Sequence, residues 1–85
     1  MSFYVYILRT SANTLYIGQT NDVEKRLKEH QLHKNRGAKY IRYFTSFELA
    51  YTESLPTRSE AMRREAMLKK LTRVKKEELI LLQQL

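Results

Sequence analysis

Two tyrosines ten residues apart, an arginine and a histidine four apart, and one isolated glutamate are the side chains of this sequence whose types and spacing could do chemistry. Tyr6 and Tyr16 lie in YVYILRTSANTLYIG, residues 4–18. A phenol can donate or accept a hydrogen bond and, once ionised, take a proton. Arg26 offers a fixed fork of donors suited to an anion, and His30 a group that gains or loses a proton near neutral pH. Glu65 projects, at helical spacing, among Ala61, Met62 and Leu68, where an amphipathic helix should present an apolar residue. A carboxylate in such surroundings calls for a cation. One carboxylate with open positions suits Mg²⁺, which keeps several waters and takes further ligands from substrate phosphate. Phosphodiester hydrolysis needs an activated water, stabilised charge on phosphorus and a neutralised leaving oxygen, and this inventory covers all three. Each residue also has a plainer reading. The tyrosines could be strand packing, Arg26 could snorkel to water, His30 could end a helix, and Glu65 could pair with Lys69 at i+4.

The composition narrows the choice. With 85 residues the chain is expected to form one domain, so a site must share its residues with the core. There is no cysteine and only two histidines, which excludes a disulfide framework, a thiolate zinc site and a histidine-only metal cage. The apolar run Phe3–Leu8 is far too short for a signal core or a membrane span, so a cytoplasmic protein without a membrane is expected. The net charge of +7 is segregated: residues 21–43 hold seven basic and three acidic side chains, and residues 57–85 hold eight and four. Two basic blocks flanking a near-neutral hairpin form a positive surface, whose commonest partner is polyphosphate.

The elements that must position these residues are legible from pattern and punctuation. The runs 3–9 and 14–19 form a hairpin, with Asn13 in the loop able to adopt a left-handed backbone. A three-residue loop sets Leu8 opposite Tyr16 and makes Tyr6 a diagonal neighbour of Tyr16 on the same face. A helix over about 22–32 is capped by Asn21 or Asp22 and buries Val23 and Leu27. A third strand covers about 47–54. After Pro56, Thr57 and Glu60 form a capping box for a helix over 57–71, and Thr72 opens a last helix over about 73–83. That helix is expected to cover the core with Val74, Leu81 and Leu85 on one face. The fold class is therefore α+β, a three-stranded antiparallel sheet flanked by helices. Between them Lys39, Tyr40 and Arg42 interleave cations and rings in GAKYIRYF, a composition suited to backbone contacts and base stacking.

The ordered set resembles the GIY-YIG nuclease family, and in particular its small stand-alone bacterial members. Tyr4-Val5-Tyr6 stands in place of GIY, an intact Tyr16-Ile17-Gly18 follows, then Arg26 and His30 in one helix and Glu65 in a later one, across nearly the whole chain. The resemblance implies a single nuclease-like domain over residues 1–85 and a divalent-metal-dependent DNA endonuclease using one Mg²⁺ or Mn²⁺, in the setting of DNA repair or recombination. It implies Tyr6 as general base or water-orienting group, Tyr16 beside it, Arg26 on the transition state, His30 tuning the tyrosine or touching phosphate, and Glu65 holding the metal. Lys39, Tyr40, Arg42 and Lys69 are expected to touch nucleic acid, with no small-molecule cofactor. The departures are Tyr4 where the family has glycine, a slightly short spacer, and no placed counterpart of the late asparagine that many members carry. A non-catalytic nucleic-acid-binding module and a partner-binding domain docking through the last helix are the rival readings.

Overall fold

The β-branched and aromatic residues of the first run place it at the centre of the molecule. The structure, a computed structural model, describes residues 2–32 and 47–84, with the backbone alone for residues 29–32. Its elements are β1 (Phe3–Thr10), β2 (Leu15–Thr20), α1 (Val23–Leu32), β3 (Phe47–Leu55), α2 (Arg58–Lys70) and α3 (Arg73–Gln84). The strands form an antiparallel sheet in the order β2-β1-β3, with β2 and β3 at its edges. Val5, Tyr6, Ile7 and Leu8 are consecutive and all buried, which a strand achieves only when both faces of its sheet are covered.

The hairpin has the expected loop. Ser11–Asn13 close it, Asn13 takes φ 61°, and the Thr10 amide donates to the Thr14 carbonyl at 2.9 Å. The register pairs Leu8 with Tyr16 and Tyr6 with Gly18, as an odd loop requires. Between β1 and β3 the register shifts at Ile7/Leu8, a bulge the sequence pattern did not signal.

Each face of the sheet has its own cover. Val5, Ile7, Ile17 and Tyr51 pack against Ala61 and Leu68 of α2 and Ile80 of α3. On the other face Tyr6 and Leu8 meet Tyr16, Phe47 and Leu27 of α1. The caps are those anticipated: the Lys25 amide donates to Asp22 Oδ1 at 3.1 Å, and the Glu60 and Lys75 amides to the hydroxyls of Thr57 and Thr72 at 3.2 Å each. Polar side chains tie the helices down. Tyr51 donates to Glu53 at 2.7 Å and Arg64 of α2 pairs with the same carboxylate at 2.8 Å. At the β3 edge, the Gln83 amide receives the Thr52 N–H at 3.0 Å and donates to its carbonyl at 2.6 Å, blunting an edge that would otherwise be unpaired.

The buried stripe of α3 differs from the expected one. Ile80 is buried and Leu79 packs beside it, whereas Val74, Leu81 and Leu82 are exposed. The run LILL places apolar groups around most of the helix, so its period does not choose the face that docks. Leu85 lies outside the described residues. No helix among the described residues is long and apolar enough to cross a membrane.

Candidate active site

Tyr6 hangs from the central strand and points toward the β2 edge. Its register partner there is Gly18, and a Cβ at Gly18 would lie 2.5 Å from the Tyr6 hydroxyl oxygen and 2.7 Å from Cζ. The phenol therefore crosses β2 through the space that a missing side chain leaves. Tyr16, one residue pair along on the same face, sets its ring 6.4 Å away at 42°, the diagonal pairing that the loop length implies.

Two helices bring charge to this hydroxyl from opposite sides of the sheet. Arg26 of α1, half-buried, donates a hydrogen bond to the Tyr6 oxygen. Glu65 of α2 acts on Tyr6 electrostatically although α2 packs on the opposite face. The edge position of β2 accounts for this, because α2 packs across β2 as well as β1 and a group passing over Gly18 comes toward that margin of the sheet. Burial pushes the Tyr6 hydroxyl above its ordinary value of 10.0; the Arg26 hydrogen bond and charge work downward, and the neighbouring Tyr16 and Glu65 upward. The upward influences win, so the phenol in the free protein is protonated at neutral pH.

Glu65 is only partly exposed, at 21%, and its carboxylate pairs with Lys69 at 3.2 Å, the i+4 contact anticipated as the plainer reading. The pairing shows that the carboxylate is open to a cation on its exposed side. Among the described residues no group of three or more His, Cys, Asp or Glu side chains gathers to form a metal cage. Among the described residues, the donor set thus fits a hydrated hard cation that takes one protein oxygen and draws its other ligands from water and phosphate, rather than a fully ligated structural metal.

Tyr6, Tyr16, Arg26 and Glu65 are therefore brought together from four elements. His30 belongs to α1 by its backbone, and its side chain lies outside the described residues, as do Lys39, Tyr40 and Arg42. Tyr4, where a glycine was expected, pairs regularly with Thr20 and Ser54, and its ring lines a cleft of about 300 Å³ with Asp22 and Glu24. The irregularity of β1 lies further along, at Ile7/Leu8.

Three residues escaped the sequence reading. Gly18 was noted as part of a motif, yet its role depends on cross-strand register. Gln19 and Arg58 line, with Phe3, Thr20, Asn21 and Arg26, a cavity of about 240 Å³ beside the Tyr6 site. Arg58 left one signal: a cation in the first turn of a helix opposes the helix dipole.

Residues 2–78 match the family model described as the GIY-YIG catalytic domain. A UPF0213 protein of Natronomonas pharaonis is 47% identical over 91% of this chain and 88% of its own length. The solution structure of the UPF0213 protein BH0048 from Bacillus halodurans is 44% identical and covers 96% of this chain and 85% of its own, with a TM-score of 0.61. That of the protein EF2693 from E. faecalis is 41% identical, covering 92% and 81%, with a TM-score of 0.62.

Proposed function

Because the chain belongs to the GIY-YIG family, a family of nucleases, we propose that it is a divalent-metal-dependent endonuclease that hydrolyses phosphodiester bonds in DNA, acting in the cytoplasm in repair or recombination. The observation that carries this reading is the convergence on one hydroxyl: Tyr6 lies over Gly18, beside Tyr16, hydrogen-bonded to Arg26 and under the influence of Glu65.

The chemistry follows from what each group can do. Tyr16 and Tyr6 hold the attacking water between two phenol oxygens. When Tyr6 is ionised it takes the water's proton as the water oxygen adds to phosphorus. The bond from phosphorus to the leaving oxygen breaks, and that oxygen takes a proton from solvent, giving one phosphomonoester and one hydroxyl end. Arg26 does two things: its charge favours the phenolate, and its fork of donors can meet the equatorial oxygens as negative charge builds there. Each pH unit by which the phenol's pKa exceeds the medium costs about 1.4 kcal/mol of barrier, so lowering it is the central task of the site. Glu65 would hold Mg²⁺ or Mn²⁺, displacing Lys69, and the ion would supply positive charge against the phosphate and the leaving oxygen. His30 joins the proposal as a further phosphate or phenol contact on α1, and Lys39, Tyr40, Arg42 and Lys69 as contacts to the strand.

The test is a screen of branched, flapped and linear DNAs with Mg²⁺. Wild type should nick at least one of them, with Glu65→Ala and Tyr6→Phe slower by about 10²–10⁴-fold and binding retained. No metal-dependent difference between wild type and Glu65→Ala on any substrate would sink the nuclease reading. A second reading, nucleic-acid binding without cleavage, is favoured by the protonated Tyr6 and by the Lys69 ammonium on Glu65. It expects salt-sensitive binding indifferent to both substitutions.

A further inference from the structure

Beside Tyr6, and sharing Arg26 with it, lies the cavity of about 240 Å³ bounded by Phe3, Gln19, Thr20, Asn21, Arg26 and Arg58. We propose that this cavity is a backbone-phosphate subsite, in which Arg58 together with Arg26 holds a second phosphate of the same nucleic-acid strand, next to the one that faces Tyr6. The proposal rests on the nucleic-acid reading above and adds to it a residue and a register.

Five observations support it. The cavity presents two guanidiniums, from α1 and from α2, with the amide side chains of Gln19 and Asn21, and among the described residues no carboxylate lines it; the Thr20 hydroxyl, also on the wall, donates to the Asp22 carbonyl at 3.2 Å. Guanidinium forks match phosphate oxygens in geometry as well as in charge. Arg58 is exposed and has no ion pair among the described residues, and it stands in the first turn of α2, where the helix gains nothing from a cation. Its neighbours on α2 are used by the fold: Arg64 pairs with Glu53, and Lys69 with Glu65. Finally, Arg26 both donates to Tyr6 and lines the cavity, so the two places are contiguous and a strand lying across one reaches the other. The volume is below the range of pockets that enclose a drug-sized molecule, which suits a phosphodiester group passing through and not an enclosed nucleotide cofactor.

The experiment measures binding without cleavage. A fluorescein-labelled forked DNA is titrated with protein in EDTA over a series of salt concentrations, using wild type, Arg58→Ala, Arg58→Lys and, as a control on the same helix, Arg63→Ala. Arg58→Ala should lower the slope of log affinity against log salt by about 0.7–0.9, the loss of one phosphate contact, with Arg58→Lys restoring most of it and Arg63→Ala leaving it unchanged. Single methylphosphonate substitutions along the strand should reveal one position that weakens wild type and leaves Arg58→Ala unaffected. An Arg58→Ala slope equal to wild type, an equal loss in Arg63→Ala, or the absence of any such position would overturn the subsite. So would inorganic phosphate shifting the Arg58 side-chain NMR signal while the DNA slope stays unchanged, which would mark a site for the free anion only. Since no metal is present, these outcomes are independent of whether the protein cuts. Slope loss in a protein that never nicks sustains the subsite, and nicking without slope loss removes the subsite alone.

Discussion

A methyl group at Gly18 would sit 2.5 Å from the Tyr6 hydroxyl oxygen, closer than any carbon and oxygen can remain, so the phenol must swing away if the side chain is added. Its ring is buried between Tyr16, Leu8 and Leu27 and has little room to move. Gly18→Ala should therefore destabilise the protein by about 1–3 kcal/mol, as overpacking of a dense core does, and should separate Tyr6 from Arg26. Losing the Arg26 hydrogen bond and charge removes both influences that lower the phenol's pKa, so in this variant the Tyr6 hydroxyl should titrate higher still. Chemical denaturation and the NMR titration of the ring signals check the two effects, and wild-type behaviour in both would contradict the placement. The pairing of Tyr6 with Tyr16 was legible in the sequence because a period of two and an odd loop suffice to derive it. The burial of Tyr6 and the part played by Gly18 were not, since both depend on which strand occupies the centre of the sheet.

At the scale of elements, α2 carries both the Glu65 carboxylate and the Arg58 guanidinium, two turns apart, and its first turn hangs on Thr57. Thr57→Ala removes the acceptor of the Glu60 amide and should cost about 1 kcal/mol, read by denaturant unfolding. The damage should be uneven. Fraying loosens Arg58 and leaves Glu65, held between the buried Ala61 and Leu68, in place. The salt slope of DNA binding should then fall while dependence on Mg²⁺ persists; loss of both together would show that the whole helix had shifted. Helix and strand limits were legible to within about a residue or two because Asp22, Thr57 and Thr72 are caps with a mechanism. The docking face of α3 was not, because the apolar run Leu79–Leu82 wraps the helix and only the tertiary partner selects Ile80. The expectations for Lys39, Tyr40 and Arg42 fall outside the described residues.

Across the whole molecule, one ion network joins distant parts of the chain. Arg9 of β1 pairs with Glu77 of α3 through two hydrogen bonds of 2.7 and 2.9 Å, Arg73 adds a third at 2.8 Å, and both arginines also reach Asn13 in the hairpin loop. The two guanidiniums, with Arg9 the larger influence, hold the Glu77 carboxyl down at about 2 against an ordinary 4.5. A lowered carboxylate pKa means that the unfolded chain binds the proton first. The stabilisation is thus complete above about 4.5 and lost as pH falls toward about 2. With the Glu77 side chain 35% exposed, solvent screening reduces its worth to about 1 kcal/mol. Thermal melts should show wild type losing stability over that pH interval, with Glu77→Gln less stable at pH 6 and correspondingly flatter below. A parallel decline in both would assign the acid sensitivity elsewhere.

Tyr6 belongs to the strand covered on both faces, whereas Arg26 and Glu65 ride on helices laid over the outside. Local opening in a small protein begins with such outer helices and reaches the central strand last. The hydroxyl is consequently the fixed point about which the cationic and anionic partners can shift, and because it crosses the edge strand at Gly18, the sheet need not part for those partners to move. Rigidity and mobility are here assigned to different layers of the same fold.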